Sequence, residues 1–360
     1  MVSLLIILGI ASLALSRYAA GKSQTSAPAS APAPAPTPAP APAPAEPAVQ
    51  QATQQAARQA PKSRLTPNEL GRIMILEYHL IGYPEADWRR TPENFRKDLQ
   101  MLYDNDYYPI ALQDLVTRNI NVPAGKTPFI LTFDDSSQGQ FNYLVKDGAL
   151  VIDPQSAVGI MEQFKNEHPD FPLTATFYVL PAIDPGLRLF GQEEYIKQKL
   201  EFLVQHGYEI GNHSYWHQNL AKTDDAGVQK QLALCLKAVQ SYLPGYEMLS
   251  LSLPFGVFAK NPQLEIAGSH EGTHYRHSAI VLVGSGSVPS PFSKDFNPFR
   301  LERIQAGDTP WGPKAFVDRY KKDPALRYVS DGNAQTISVP KGAETNIPAT
   351  IAVKYKLRPL

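Results

Sequence analysis

Two pairs of polar side chains have the types and spacing that suit metal-assisted chemistry. Asp134 and Asp135 end the apolar run TPFILTFDD, and His213 and His217 stand four residues apart in NHSYWH. On a helical turn that spacing places both imidazoles on one face, where a carboxylate can complete a divalent cation site. Catalytic metal sites use three protein ligands and leave a position for water. The pattern predicts a hydrolytic centre with one aspartate on the cation and its neighbour as general base.

Each pair alone also has an ordinary explanation. Acidic residues often end strands and open turns, and two histidines four residues apart are also found on polar helix faces. Neighbouring side chains of a strand point to opposite faces, so Asp134 and Asp135 need not share one role. The chemical hypothesis therefore depends on both pairs meeting in the fold.

The elements that must position these residues alternate between strands and helices. Apolar runs such as RIMILEYHLIG, LTATFYVLP, MLSLSLPFG and SAIVLVGSG are separated by helical patterns. Thr91 and Pro92 open one predicted helix, Gly207 ends a second, and DDAGVQKQLALCLKAVQSYL forms a third. This order predicts an α/β fold with a mostly parallel sheet, and functional residues at the carboxyl ends of its strands.

The composition excludes some classes of function. The 360 residues contain 34 Lys+Arg and 34 Asp+Glu, which is not the charge balance of a general nucleic-acid binder. Cys235 is the single cysteine, so the fold must depend on its core or on metal rather than on an internal disulfide.

The sequence divides into four parts. The apolar run MVSLLIILGIASLALS predicts a signal peptide or N-terminal membrane anchor over 1–22, and an Ala/Pro-rich segment predicts a disordered linker over 23–64. A catalytic domain is expected over 65–330, followed by a hairpin-like extension over 331–360. This organisation predicts an exported protein that is secreted, periplasmic or associated with the cell envelope, with a possible membrane tether at its N-terminus.

Three motifs in this order resemble a known family. TFDDS, HSYWH and LPFG, after the early ILEYH strand, are similar to the motifs of the polysaccharide deacetylases of carbohydrate esterase family 4. The resemblance covers about Leu65 to Gly307. It implies a distorted (β/α) barrel, one divalent metal ion of the Zn²⁺ type, and removal of acetyl groups from polymers such as chitin, peptidoglycan or xylan.

The resemblance also implies roles for individual residues. Asp134 becomes the catalytic base, and the metal ligands become Asp135, His213 and His217. The backbone N–H of Phe255 becomes an oxyanion donor. The predicted substrate contacts are Pro254, which shapes the groove, Trp216, as a packing residue or sugar platform, and Tyr178 in the run LTATFYVLP.

Three features depart from the family pattern. Ser136 stands where the first motif usually has glycine, and Ser252 stands where an arginine usually orients the base. Arg303, or its neighbour Arg300, in NPFRLERIQ is predicted to replace that arginine. The late Leu-x-His motif of the usual general acid is not found, which leaves four candidate proton donors: His79, His270, His274 and His277.

Two alternatives remain open from the sequence. His270-Glu-Gly-Thr-His274 fits the helical H-E-x-x-H site of zinc metalloproteases with Glu271 as base, but Gly268 and Gly272 disfavour a helix and predict a polar loop. The second alternative is a wall-binding module that keeps the fold with an eroded catalytic motif. The long stretch from 140 to 171 begins with a hairpin-like pattern, NYLVKDGALVIDP, and is expected to border the groove.

Overall fold

A curled sheet of parallel strands forms the centre of the structure, a computed structural model that describes residues 65–182, 188–284 and 286–360. The predicted signal or anchor over 1–22 and the linker over 23–64 lie outside the described residues. Within the described ranges, no helix has the length and hydrophobicity needed to cross a bilayer.

The strands and helices are as follows. The strands are β1 Met74–Tyr78, β2 Leu80–Ile81, β3 Arg89–Arg90, β4 Tyr107–Pro109, β5 Thr127–Phe133, β6 Tyr143–Lys146, β7 Ala149–Ile152, β8 Thr176–Val179, β9 Glu209–Asn212, β10 Ser250–Ser252, β11 Ala267–His270, β12 Thr273–Arg276, β13 Ala279–Val281, β14 Ile304–Gln305, β15 Thr336–Val339 and β16 Lys356–Pro359. The helices are α1 Pro92–Asp104, α2 Leu112–Thr117, α3 Ala157–Glu167, α4 Ile196–Gln205, α5 Asp225–Gln240, α6 Gln263–Ile266, α7 Pro313–Lys322 and α8 Ala349–Ala352.

The main sheet has the strand order β13-β10-β9-β8-β5-β1-β14, and β4 also pairs with β5. All of these pairings are parallel. A bridge between Val281 and Leu301 brings the β13 edge towards the segment that leads into β14. The predicted α/β architecture and the distorted (β/α) barrel class are confirmed.

Alternation along the strands separates two cores. Leu131 of β5 and Phe177 of β8 face outwards into the cluster that the helices cover. Ile130 of β5 and Val281 of β13 face inwards into a second cluster. Residues that continue the inward-facing pattern at the carboxyl ends of the strands are therefore brought together inside the curled sheet.

The predicted helices form where their capping residues indicate. The hydroxyl of Thr91 accepts a hydrogen bond from the N–H of Asn94, and Pro92 occupies the first turn of α1. α4 ends before Gly207, whose φ of 77° is the left-handed conformation that glycine adopts readily. The hairpin predicted in NYLVKDGALVIDP is also present, as the antiparallel pair β6 and β7.

The predicted C-terminal hairpin is wrong. β15 and β16 pair in parallel, and the chain crosses between them through a 3₁₀ turn and α8. A parallel pair requires such a crossover, whereas a hairpin requires a tight reversal. Ile337 and Val339 of β15 are fully buried in the inner cluster, so this segment completes the core.

Candidate metal centre and active site

The two aspartates diverge because the chain turns immediately after β5. The N–H of Asp134 donates to the carbonyl of Tyr78 at 2.9 Å, which extends the β1 and β5 pairing by one residue. Asp135 then adopts a φ of 73° and Ser136 a φ of 45°, both left-handed. Asp134 therefore lies on the inner side with Thr132, and Asp135 belongs to the turn.

Ser136 occupies a conformation for which glycine is the usual choice. Its hydroxyl accepts a hydrogen bond from the N–H of Leu180 at 3.0 Å, and its carbonyl accepts from the N–H of Phe190 at 2.8 Å. These contacts hold the turn from both sides, so the serine supports the same backbone shape that the family usually builds with glycine.

His213 and His217 are held by an irregular loop, so the helical turn assumed for their spacing is wrong. The loop contains left-handed residues at Ser214, with φ 66°, and at His217, with φ 52°. The side-chain oxygen of Gln231 on α5 accepts from the N–H groups of Tyr215 and Trp216, at 3.2 and 2.9 Å. The two rings still approach to 4.9 Å between centroids because α5 fixes the loop.

One carboxylate oxygen lies between the two imidazoles. The Oδ1 atom of Asp135 is 3.3 Å from Nε2 of His213 and 3.7 Å from Nε2 of His217. The three potential ligand atoms all lie within 4.8 Å of one another. The structure thus brings the three predicted metal ligands together at the carboxyl end of the sheet.

The chemistry of these atoms fits a divalent cation. Nδ1 of His213 lies 2.8 Å from the carbonyl of Ser252, which can only accept a hydrogen bond, so Nδ1 carries the hydrogen and Nε2 is the nitrogen that can act as a ligand. This Nε2 and Oδ1 of Asp135 are buried and make no hydrogen bond among the described residues. Buried polar atoms without partners are rare in proteins, and a cation supplies the missing partner here.

Electrostatics favour different protonation at the two histidines. Burial lowers the pKa of His217, and the nearby His213 lowers it further, to about 4. Burial also acts to lower the pKa of His213, but the charge of Asp134, together with the contacts to Asp135 and to the Ser252 carbonyl, outweighs it, and the net shift of the pKa is upwards. His217 is therefore a neutral imidazole near pH 7, which is the form that binds a metal ion.

Asp134 is paired with a buried arginine. Nη1 and Nη2 of Arg303 each donate to one oxygen of Asp134 at 2.7 Å, and the hydroxyl of Ser252 donates to the second oxygen at 2.8 Å. Burial acts to raise the pKa of Asp134, but the charge of Arg303, with that of His213, lowers it below its usual value. Asp134 is therefore ionised and held in a fixed orientation.

Arg303, rather than Arg300, reaches the candidate base. Arg300 lies at the surface over the ring of Phe258, at 4.7 Å from the ring centroid. Arg303 is fully buried, and its Nη2 also donates to Glu77 at 2.8 Å. The arginine of RLERI thus lies next to Ser252, with its Nη2 3.0 Å from the Ser252 hydroxyl.

Glu77 and the hydroxyl of Ser252 are the site residues that the sequence reasoning missed. Glu77 faces inwards from β1, accepts from the N–H of Gly284 at 3.0 Å and shares Arg303 with Asp134. The signal was present, since Glu77 is the one charged residue of the buried strand MILEY. Ser252 was noticed only as a missing arginine, although its hydroxyl binds both members of the ion pair.

Among the four candidate proton donors, His79 lies beside the catalytic carboxylate. Its ring, the Asp134 carboxylate and the Glu77 carboxylate have ligand atoms within 4.8 Å of one another. Arg303 already binds both of these carboxylates, which argues against a second cation there. His277 is instead buried with its Nδ1 against the carbonyl of Glu265.

The predicted substrate contacts differ in their exposure. Phe255 is 57% exposed and its ring lies 4.7 Å from that of His217, and Trp216 is 41% exposed. Pro254 is buried beneath Phe255 in the same 3₁₀ turn. Phe255 itself is left-handed, with a φ of 61°. Phe255 and Trp216 are therefore the members of this group that an extended ligand can reach.

The prediction that Tyr178 contacts substrate is wrong. Its side chain is fully buried on the inner face of β8, and the Arg303 guanidinium lies 5.8 Å from its ring centroid. Gly211 on the adjacent strand makes room for the ring, because a Cβ at that position would come within 2.4 Å of it. Tyr178 packs beneath the ion pair.

The H-E-x-x-H sequence forms a β-hairpin, so the predicted polar loop was only partly correct. β11 and β12 are antiparallel, and the turn residues Glu271 and Gly272 are both left-handed, with φ of 47° and 78°. His270 pairs with Thr273 and His274 with Ser269, so the two histidines lie on opposite faces. A metalloprotease helix is therefore excluded here.

Comparisons with known proteins agree with this geometry. Residues 121–271 match the family model described as polysaccharide deacetylase, which confirms the predicted resemblance over this segment. The matched segment contains Asp134, Asp135, His213, His217 and Phe255. No curated protein matches the sequence significantly.

Solved structures at low sequence identity are similar to this chain, and one of them, with a TM-score above 0.5, shares its fold. The Streptococcus pyogenes deacetylase PplD, in complex with acetate, is 19% identical with a TM-score of 0.51, over 70% of this chain and 98% of that one. BC0361, a polysaccharide deacetylase from Bacillus cereus, is 16% identical with a TM-score of 0.48, over 70% and 68%. IcaB from Ammonifex degensii is 14% identical with a TM-score of 0.48, over 70% and 98%.

Proposed function

We propose that this protein is a metal-dependent hydrolase that removes acetyl groups from N-acetylated cell-surface polysaccharide of the peptidoglycan or chitin kind. In this reaction it cleaves the carbon–nitrogen bond of a linear amide that is not a peptide bond. The observation that carries the proposal is the position of the Asp135, His213 and His217 donors beside Asp134, which Arg303 binds through both oxygens.

The ion is bound by Asp135, His213 and His217, and Zn²⁺ suits this set of one carboxylate and two imidazoles. When bound, such an ion polarises a carbonyl group and increases the acidity of a water molecule. Asp134 is the general base, and its Oδ2 lies 3.7 Å from Nε2 of His213. Arg303 and Ser252 keep this carboxylate ionised and aimed at the same space.

Departure of the amine requires a proton donor, and His79 is placed for that role. It lies beside Asp134 and next to the exposed ring of Trp88, at 4.6 Å between centroids. A cavity of about 10 Å³, close to the room one water needs, is lined by His79, Trp88 and Gln305. Asp134 takes a proton from water, whose oxygen adds to the acetyl carbon, and His79 donates a proton to the leaving nitrogen. The carbon–nitrogen bond then breaks and releases the sugar amine and acetate.

The third motif contributes at the other side of the centre. The backbone N–H of Phe255 is the proposed donor to the oxyanion that forms on the acetyl carbonyl. Pro254 fixes the turn that presents this residue, and the exposed rings of Phe255 and Trp216 border the groove. These residues bind the sugar and the reacting carbonyl without exchanging protons.

The wall-binding alternative loses its main support. It depended on the missing motif arginine, and Arg303 supplies that guanidinium from the loop before β14 with two 2.7 Å contacts to Asp134. A protein that only binds polysaccharide has no chemical need for a fixed, ionised carboxylate next to a metal-binding set.

The N-terminal sequence supports an exported protein. The apolar run over 1–22 and the Ala/Pro-rich segment over 23–64 suit a signal or membrane tether followed by a spacer. Export would bring the catalytic domain to the cell-envelope polysaccharide that it acts on.

The test is release of acetate from N-acetylated glycans by the full chain loaded with a divalent metal. We expect release by wild type, and loss of release in Asp134→Asn and His213→Ala. Glu271→Gln is the matched control, since it alters the proposed base of the protease motif and should leave release unchanged. Release of acetate that survives both Asp134→Asn and His213→Ala would contradict the proposed mechanism.

A further inference from the structure

All three tryptophans of the chain are exposed, although tryptophan is usually a well-buried residue. The exposed fractions are 45% for Trp88, 41% for Trp216 and 67% for Trp311. Each lies in a connection that follows a strand of the main sheet, namely β1, β9 and β14. The rings therefore gather at the carboxyl end of the sheet, which also carries the candidate active site.

Other exposed apolar side chains follow the same distribution. Among the described residues, fourteen large hydrophobic side chains are exposed, and nine of them lie in connections that follow strands of the main sheet, including the β6–β7 hairpin after β5. The nine are Tyr83, Trp88, Leu144, Val145, Leu150, Trp216, Phe255, Val283 and Trp311. Large exposed apolar groups that cluster at a site mark a surface that binds a ligand.

Trp88 is fixed against the candidate active site. Its ring packs on His79 at 4.6 Å between centroids with an interplanar angle of 64°. Its carbonyl accepts from the N–H of Leu80 at 3.0 Å, and the preceding residue, Asp87, accepts from the side chain of Gln305. The indole is thus a supported platform on a short loop.

A second exposed aromatic ring lies against one of the candidate metal ligands. The contacts run from Trp88 to His79, from His79 to Asp134, and from Asp134 to His213. They then continue from His213 to His217 at 4.9 Å and from His217 to Phe255 at 4.7 Å. The candidate reacting groups are therefore connected to two exposed rings, Trp88 and Phe255, through different histidines.

We propose that Trp88 forms a sugar-binding subsite on the His79 side of the metal centre. The polysaccharide extends from the reacting centre over the Trp88 ring. Sugar rings present apolar C–H faces, and an exposed indole offers a flat apolar surface of matching size. This inference rests on the proposed deacetylase function and narrows its substrate to chains long enough to reach Trp88 from the reacting acetyl group.

Space for a further unit is present next to this loop. A concavity of about 260 Å³ is lined by Gly82, Tyr83, Gln138 and Asn142, which belong to the connections after β1 and β5. Its lining combines one exposed aromatic ring with side-chain amides, the groups that recognise a sugar through stacking and hydrogen bonds. This concavity therefore offers room for a sugar unit beside the connection that carries Trp88.

The experiment measures kcat/KM for acetate release from the dimer and the hexamer of N-acetylglucosamine. It compares the metal-loaded full chain with its Trp88→Ala and Trp88→Phe variants. Burying the exposed part of an indole against a sugar predicts a loss of about tenfold in kcat/KM for the hexamer in Trp88→Ala. The loss for the dimer should be less than about twofold, and Trp88→Phe should fall between the two proteins. Val353→Ala is the control, because it removes an exposed apolar side chain that lies outside this end of the sheet.

Equal losses on dimer and hexamer would overturn the subsite, because Trp88 would then act only through the His79 ring. Equal losses in Trp88→Ala and Val353→Ala would overturn it as well. Binding of the hexamer by calorimetry, in an Asp134→Asn background without turnover, separates this inference from the proposed function. Absence of acetate release by wild type contradicts the function, whereas hexamer affinity that is unchanged by Trp88→Ala contradicts the subsite.

Discussion

Two carboxylate pairs, each with one buried and one partly buried member, lie at opposite ends of the sheet, and their hydrogen bonding differs. At the carboxyl end, Asp135 has an oxygen without a partner among the described residues, as does Nε2 of His213. At the amino end, Glu69 accepts from the N–H groups of Ser338 and Asp331, and its Oε1 also accepts from the Tyr328 hydroxyl. Asp331 in turn accepts from the Thr336 and Ser338 hydroxyls and from the N–H of Asn333.

The difference separates a binding site from a structural contact. Polar atoms that already have protein partners gain little from a ligand, whereas buried atoms without partners pay a desolvation penalty until a ligand arrives. The amino-end pair fastens β15 to the segment before β1. At the carboxyl end, the atoms without protein partners are arranged to bind a ligand from outside the chain.

The largest expected effect is on catalysis at the carboxyl end. Asp134→Asn removes the general base, and we expect acetate release to fall by about 10²- to 10⁴-fold. The metal content should stay near that of wild type, because Asp135, His213 and His217 are unchanged. Kinetics and metal analysis on the same preparation check both parts, and acetate release within tenfold of wild type would exclude Asp134 as the base.

The amino-end pair predicts a dependence of stability on pH. Burial raises the pKa of Glu69 from its ordinary 4.5 to about 8. The folded state therefore binds more protons than the unfolded state between these values, so its stability is complete below pH 4.5 and declines as pH rises to about 8. The decline has a maximum slope of about 1.4 kcal/mol per pH unit.

Urea unfolding between pH 5 and 9 measures this decline. Glu69→Gln should remove the Glu69 contribution, so the wild-type curve and the variant curve should differ in slope within this window. Glu271→Gln, an exposed site with the same substitution, is the control. Parallel curves for wild type and Glu69→Gln would show that this carboxyl does not titrate in the predicted range.

Metal binding at the carboxyl end should raise the free energy of unfolding, and this gain should not depend on Glu69 at the amino end. A cation at 100 times its dissociation constant raises the free energy of unfolding by about 2.7 kcal/mol. We expect this gain in wild type and in Glu69→Gln, and none in His217→Ala. Thermal unfolding with Zn²⁺ and with a chelator measures it, and an equal gain in His217→Ala would place the cation elsewhere.

The smallest expected effect concerns the hydroxyl that supports the ion pair. Ser252→Ala removes the 2.8 Å contact to Asp134 and the 3.0 Å contact to Arg303, while Arg303 keeps both oxygens. A hydrogen bond of this kind contributes about 0.5–1.5 kcal/mol, so kcat should fall by about two- to tenfold with unchanged metal affinity. A loss as large as that of Asp134→Asn would show that the hydroxyl has a direct catalytic role.

Local patterns in the sequence account for most of the fold. Thr91 and Pro92, Gly207, and the alternation of apolar runs with amphipathic helices each report on nearby backbone, and these predictions are confirmed. The hairpin predicted for the C-terminal segment was wrong because two alternating runs around a glycine do not reveal whether the intervening residues form a tight turn or a crossover.

The site was only partly predictable because its contacts join distant segments. The ligands His213 and His217 were found from their spacing, although the loop that holds them is not helical. The partnership of Arg303 with Glu77 spans more than two hundred residues, and no local pattern encodes it. The substrate contact predicted for Tyr178 was wrong because the position of a residue in a strand does not reveal whether its side chain packs against the ion pair of Asp134 and Arg303.

The central claim is that Asp135, His213 and His217 bind the ion on which acetate release depends. The most direct measurement titrates the metal-free full chain with Zn²⁺ while following bound metal and acetate release from an N-acetylated glycan. We predict one bound ion per chain and a rate that rises in proportion to occupancy, with both lost in His213→Ala. Acetate release that is complete before any metal is added, or that persists in His213→Ala, would contradict the account.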